Sequence, residues 1–281
     1  MVPYYDQPTG RLENEHLILD YLLESGPRIV RLIPHALGEN LLAETPDYLL
    51  PSPHGPFHLW GGHRLWHAPE SAARTYVPDD GNLRVVKRGN EVTLTRDEPI
   101  NGIRTEIVVV LFPGEPRVRL AHRLTNTGLW PVELAPWAIT QLRPGGTAVL
   151  PSGGGDDAEG LLPDRLFALW PYSRWDDPRF RPGEEAIEID GLPLAQPFKL
   201  GTMNRAGWMA YRYGGVTFTK HWTPRPEQPH VDFGCNAEVY AGERHIELES
   251  LGPLARPAPG AVVEHVEEWV IGRRVISVDG G

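Results

Sequence analysis

The chain has 281 residues, 41% hydrophobic and 23% charged, which is enough apolar material for a sizeable core and too little charge for a disordered chain. Its formal net charge is −10 and its basic residues are scattered, which argues against the phosphate-tracking stripe that nucleic-acid binding needs. Cys235 is the sole cysteine, which excludes an internal disulfide and any multi-cysteine metal site and fits a reducing cytoplasm. The 30 glycines and 29 prolines are dispersed between apolar runs, the mark of many short strands joined by turns. Large all-β folds run to about 250 residues as one unit, so residues 1–281 are expected to form a single β-rich domain. Residues 1–8 lack the basic and apolar regions of a secretory leader. No run approaches the ~18 apolar residues of a membrane span, so no membrane partner is expected.

In chain order, residues 16–23 and 28–34 are apolar runs split by Gly26-Pro27 and read as a β-hairpin. A turn at residues 38–42 leads to the most unusual block, Phe57-His58-Leu59-Trp60-Gly61-Gly62-His63-Arg64-Leu65-Trp66-His67-Ala68-Pro69-Glu70. Three histidines, two tryptophans and an arginine surround a Gly-Gly pair whose missing Cβ atoms permit a bend or a close backbone approach. Beyond it, extended geometry places His63, Leu65 and His67 on one face and Arg64, Trp66 and Ala68 on the other. Indole faces, imidazoles and a guanidinium suit a polyhydroxylated ring, which stacks its C–H face and takes directional hydrogen bonds through its hydroxyls. The plain alternative is a strand end capping a core edge.

Residues 83–87, 91–96, 103–112 and 117–125 form an antiparallel meander by their alternation and turn residues, with His122 a satisfied core histidine. Residues 132–142 read as a strand with a bulge or edge position at Pro136. Gly153-Gly154-Gly155-Asp156-Asp157 is a loop but no phosphate cradle, because no Lys-Ser/Thr follows it. The aromatic, Pro-rich residues 161–182 read as an excursion over a cleft. Strands resume at 186–189, 208–213 and 216–222, the last two joined by Gly214-Gly215, and Lys220 lies among apolar neighbours, where it snorkels, the commoner outcome, or has an acidic partner or a ligand, which makes it a candidate substrate contact. The chain closes with strands at 245–251 and 262–271. In the former, parity puts His245, Glu247 and Glu249 on one face, where repulsion and burial could tune either carboxylate as a proton acceptor; a solvated outer face is the plain alternative. His63 and His67 have no metalloprotease glutamate between them, no Gly-x-Ser-x-Gly occurs, and no metal or other cofactor is expected.

Gly26-Pro27-Arg28-Ile29-Val30-Arg31-Leu32 with Glu39-Asn40-Leu41-Leu42 resembles the opening hairpin of aldose 1-epimerase (galactose mutarotase)-like proteins. Gly61-Gly62-His63-Arg64-Leu65-Trp66 resembles the segment carrying their sugar-contacting arginine. Glu247-Leu248-Glu249-Ser250-Leu251 is similar to the late strand bearing their catalytic glutamate. The resemblance implies an all-β fold, a large antiparallel β-sandwich with a concave sugar-binding face on which residues 61–66 and 247–249 meet. It implies a small-molecule carbohydrate as partner, Glu249 as base and Arg64 as sugar ligand, with no cofactor. Ala135-Pro136-Trp137-Ala138-Ile139-Thr140 stands where the family has Thr-Asn-His-x-Tyr-Phe, which puts Trp137 at the position of the acid, and the family's Leu-His-Gly-Gly has no counterpart. His63 is then the candidate acid, with Lys220 and His67 behind it. Trp66 and Trp137 would stack on the sugar, and Arg64 and Asp232 would hold hydroxyls. Three readings stand: an anomer-exchanging isomerase, a non-catalytic carbohydrate-binding module, and a glycosidase or lyase.

Overall fold

The computed structural model describes residues 3–151 and 161–272, which form 21 strands and no helix. The glycine run at 153–155 with Asp156 and Asp157 lies outside the described residues. No helix among the described residues is long and apolar enough to cross a membrane. A nine-stranded sheet runs, edge to edge, through Thr9–Glu13, Leu17–Leu22, Arg28–Pro34, His63–Ala68, Ala135–Leu142, Ile246–Leu251, Ala237–Ala241, Phe198–Thr202 and Phe167–Leu169. A ten-stranded sheet runs through Phe180–Pro182, Ala186–Asp190, Thr147–Pro151, Trp208–Tyr213, Val216–Trp222, Val262–Gly272, Arg117–Asn126, Ile103–Leu111, Glu91–Glu98 and Arg84–Arg88. The core lies between them. One apolar cluster takes Leu17, Leu32, Leu65 and Leu248 from the first sheet and Val109, Leu120, Phe218 and Trp269 from the second.

Local chemistry explains much of this arrangement. The opening hairpin forms with Leu17 opposite Pro34 and a register shift between Asp20 and Tyr21. The meander pairs as its alternation implies, with His122 facing inward opposite Ile107 and His265. Gly214 and Gly215 both have positive φ, 56° and 79°, the geometry a two-residue hairpin link requires.

The bend and close backbone approach expected at Gly61-Gly62 occur, and the expectation for Pro136 changes. The histidine- and tryptophan-rich block is not continuous: Phe57–Gly61 pairs with Glu44–Leu50 in a two-stranded sheet, and His63–Ala68 enters the nine-stranded one. The break is at Gly61 and Gly62, with φ of 88° and 75°, where a Cβ would lie 2.0 Å from the carbonyl oxygens of Ala43 and Ile29 respectively. Pro136 sits in a central strand, not at an edge. Its carbonyl accepts the Gly252 N–H at 2.9 Å, and the ladder with Ile246–Leu251 begins only at Trp137, so no ladder hydrogen bond is lost there.

Candidate functional site

Register builds the site. Ile139 pairs with Arg64 on one side and Glu249 on the other, and Glu249 pairs in turn with Glu238, so these four share one row across the nine-stranded sheet. Since Leu65 and Leu248 point into the core, the alternate positions Trp66, Trp137, Gln141 and Glu247 face outward. There they line a cleft of about 190 Å³, with Lys199 and Tyr240 from neighbouring strands and His245 at the start of the Glu247 strand. Tyr48, Leu50 and Leu59 of the small sheet form one wall, and Tyr76 and Tyr172 reach in from loops. Tyr172 belongs to the aromatic excursion expected to lie over a cleft. Trp66 packs edge-on against Tyr76 at 5.3 Å and against Trp137 at 5.4 Å between centroids.

Beneath this floor lies a charged row. Glu249 is fully buried: its Oε2 accepts the Trp137 indole N–H at 2.6 Å and the Lys199 ammonium at 2.9 Å, and its Oε1 has no partner among the described residues. Lys199 also meets Glu238 at 2.7 Å. Burial drives the Glu249 carboxyl up to about 7, with Lys199 opposing and Glu247 assisting the rise. Glu238 is raised well above the carboxylate range by burial, with its neighbour Glu249 adding to the rise. Glu247 goes the other way. Burial disfavours its charge, but the His245 contact at 3.3 Å, Arg64 at 3.7 Å and Lys199 outweigh it and hold the carboxyl down to about 2. Two carboxyl groups two residues apart are thus driven to opposite sides of the ordinary carboxylate value. Gln141 Oε1 and His245 Nδ1, on cleft-lining residues, are also buried without hydrogen-bond partners among the described residues. Orphaned polar atoms around a cleft walled by aromatic rings are what a hydroxyl-rich ligand would complete.

The residues singled out from sequence divide between two faces. Trp66 and Trp137 line the cleft, while Glu249 lies in the row beneath it. Arg64 lies on the same side, packed over the Trp66 ring at 4.6 Å and next to Glu247, but sealed behind the cleft wall at 2% exposure. His63 points between the sheets, so it is not an acid of this cleft: its Nδ1 meets Thr140 Oγ1 at 2.9 Å and its Nε2 meets His122 Nε2 at 2.8 Å. Lys220 is likewise interior, donating to the Ala138 and Leu248 carbonyls at 2.9 Å each and pairing with Glu267 at 2.8 Å. His67, of the same parity as His63, contacts Glu98 and Asn101 at 3.3 Å each. Asp232 stands in a left-handed turn, φ 50°, outside the cleft lining. The ligand atoms of His63, His122 and Glu267 lie within 4.8 Å of one another. Lys220 supplies a cation there, and Ser250 and Trp269 also donate to Glu267, which ties the cluster into a hydrogen-bonded core network.

Sequence reasoning missed Lys199, Glu238, Gln141 and Tyr240. Lys199 and Glu238 each lie in a strand of five buried or nearly buried residues too short to show a period. A charged residue inside such an apolar stretch was the available signal. His245 was placed on the correct face by parity but given no role.

No protein-family model and no curated protein sequence matches the chain. Solved structures do match. A TPR-domain containing protein from Parabacteroides distasonis superposes with a TM-score of 0.67 at 14% identity over 97% of this chain, which spans only 48% of that protein. A provisionally assigned aldose 1-epimerase from Escherichia coli K12 gives 0.62 at 12% identity, covering 95% of this chain and 99% of that one. A galactose mutarotase-like protein from Lactobacillus casei gives 0.59 at 12% identity, with coverages of 94% and 100%. At such identities the likeness concerns the fold, which is galactose mutarotase-like.

Proposed function

We propose that this protein binds a small neutral carbohydrate in the cleft and exchanges its anomers by acid/base ring opening, as an aldose 1-epimerase does. The observation that carries this reading is Glu249, a carboxyl group raised to about 7 in the row beneath an aromatic-walled cleft. A base that titrates near neutrality is suited to take a hydroxyl proton and return it. The cleft is smaller than the roughly 300–1,000 Å³ of sites for drug-sized ligands, which favours a single sugar ring. Charge favours a neutral one, because the two cations nearest the cleft, Lys199 and Arg64, are matched by Glu249 and Glu247. Trp66 and Trp137 would stack on the ring, and Gln141, Glu247 and His245 would hold hydroxyls. Glu249 Oε1, which has no hydrogen-bond partner among the described residues, is the oxygen left to take the proton.

The second reading is sugar binding without chemistry. It is favoured by Trp137, whose indole donates to Glu249 where the family resemblance leads one to expect a histidine, and an indole N–H is no proton donor at neutral pH. Anomer exchange followed by NMR across a panel of neutral aldoses decides between the two. Exchange above the uncatalysed rate, lost in Glu249→Gln, is the expected result. Saturable sugar binding with no acceleration leaves the binding reading alone. Absence of binding to every sugar removes both.

A further inference from the structure

Ring opening needs a proton for the ring oxygen, and the histidine singled out for that task faces the other way. Among the residues lining the cleft, Lys199 is the one cation in contact with the base. It stands on Phe198–Thr202, two strands from Ile246–Leu251, and is 4% exposed. Its ammonium lies 5.0 Å from the Trp137 ring centre and 4.5 Å from that of Trp170, which confines the side chain. An ammonium has three N–H donors. Glu249 Oε2 accepts one at 2.9 Å and Glu238 Oε2 lies 2.7 Å away as an ion-pair partner, so even with both carboxyl groups engaged an N–H remains for a ligand in the cleft.

We infer that Lys199 is the proton donor of this cleft, delivering to the ring oxygen of the sugar while Glu249 removes the proton from the anomeric hydroxyl. The inference rests on the proposed isomerase reading. Its geometric basis is adjacency: the two oxygens involved are bonded to the same carbon, and the donor nitrogen and acceptor carboxylate are hydrogen-bonded neighbours. In the forward step the anomeric O–H proton passes to Glu249 Oε1 and a carbon–oxygen double bond forms. The bond from the anomeric carbon to the ring oxygen breaks, and its electron pair takes a proton from Lys199 Nζ. The aldehyde turns about its bond to the adjacent carbon. In the reverse step the hydroxyl attacks the other face, its proton returns to Lys199, and Glu249 reprotonates the anomeric oxygen. Both residues end as they began, and no oxidant or co-reactant enters.

The charges around Lys199 favour this timing. Burial disfavours its ammonium, but the Glu238 and Glu249 carboxylates outweigh burial and hold its pKa well above the ordinary lysine value. When Glu249 accepts the anomeric proton, that restraint weakens, so Lys199 becomes more acidic during the step that needs its proton.

The rival role is a purely structural clamp on Glu249, and three substitutions, one of them also in alkylated form, separate the two. Lys199→Met and Lys199→Cys should lower the exchange rate by ~10²–10⁴, with sugar affinity changed only a few-fold. Lys199→Arg keeps the charge and hydrogen bonds but holds its proton too tightly to give it up, so it should be as slow as Lys199→Met. Alkylating Lys199→Cys with bromoethylamine rebuilds a primary ammonium and should restore at least a tenth of wild-type rate. The sole natural cysteine, Cys235, is buried with its thiol pKa pushed up by burial, so it should not react under native conditions. Exchange within about three-fold of wild type in Lys199→Met or Lys199→Arg would show a clamp and overturn the inference while leaving the isomerase reading intact. A wild-type protein that binds sugar without exchange overturns both, and does so before any substitution is made. The Arg variant and the alkylated protein answer the question even where Lys199→Met does not fold.

Discussion

Glu249 and Lys220 are the residues at which burial most changes the expected chemistry. The Glu249 carboxyl rises from its ordinary 4.5 to about 7, chiefly through burial, so between those values the folded chain holds a proton that the unfolded chain has released. Its contribution to stability is therefore complete below pH 4.5 and lost as the pH rises through 7. At about 1.36 kcal/mol per unit, the swing is on the order of 3 kcal/mol. Glu247, held down to about 2, has the opposite sign: its contribution is present above pH 4.5 and fades as the pH falls toward 2. Urea unfolding at a series of pH values should show the stability of wild type relative to Glu249→Gln falling between pH 4.5 and 7, a difference in which the opposite slope from the buried histidines His63, His122 and His265, whose pKa values burial lowers, cancels. An identical slope in the variant would mean that Glu249 titrates as an ordinary surface carboxylate. Lys220 was expected to hold substrate, but it is enclosed between the sheets with Glu267. Lys220→Met strands a buried carboxylate and should cost about 3–5 kcal/mol in chemical denaturation. Sugar affinity of the folded fraction should stay within a few-fold; a selective loss of affinity at unchanged stability would return Lys220 to the site.

Among the elements, the Gly61-Gly62 break governs how the cleft is walled, because it sends Phe57–Gly61 into the small sheet and His63–Ala68 into the large one. The Gly62 N–H bonds the Ala43 carbonyl at 3.1 Å, and its own carbonyl accepts from Gln141 N–H at 2.9 Å, so the backbone is held on both sides. Gly62→Ala adds a methyl 2.0 Å from the Ile29 carbonyl oxygen at a φ of 75°. Gly215→Ala incurs a similar conformational strain, φ 79°, but has nothing within 4 Å. The Gly215 variant should lose about 1–2 kcal/mol, the cost of a left-handed L-residue. The Gly62 variant should lose several times more, or fail to fold. Equal midpoints for the two in urea would show that the close approach at Gly62 relaxes freely. The opening hairpin, the meander and the Gly214-Gly215 link were legible because each is set by residues within about ten positions of one another. The short strands Phe198–Thr202 and Ala237–Ala241 were not, because they are buried on both faces and carry no alternation.

For the molecule as a whole, the two large sheets share one apolar cluster, from Leu17 and Leu248 on one side to Phe218 and Trp269 on the other. The expectation of a single domain then takes a measurable form: far-ultraviolet dichroism and tryptophan fluorescence should trace coincident unfolding transitions. Two separated transitions would mean that the chain divides into independently stable parts.

What the amino-acid sequence determined by itself was two-valued and local. Alternation along a strand sorted His63 from Arg64 and Leu248 from Glu249, and the Gly-Gly and Gly-Pro pairs marked where the chain turns, because both follow from backbone geometry within a few residues. It also carried the likeness to the mutarotase fold. Only the tertiary structure decided which of the two faces holds the cleft. That choice depends on which sheet lies behind the strand, so His63, Lys220 and Glu267 form an interior network while Trp66, Trp137 and Glu247 line the opening. The neighbours of Glu249 were decided there too: Lys199 and Glu238 come from other strands of the sheet, and their contact with it is a matter of register across strands distant in sequence. The pKa values near 7 and near 2 exist only because burial and those charges act together.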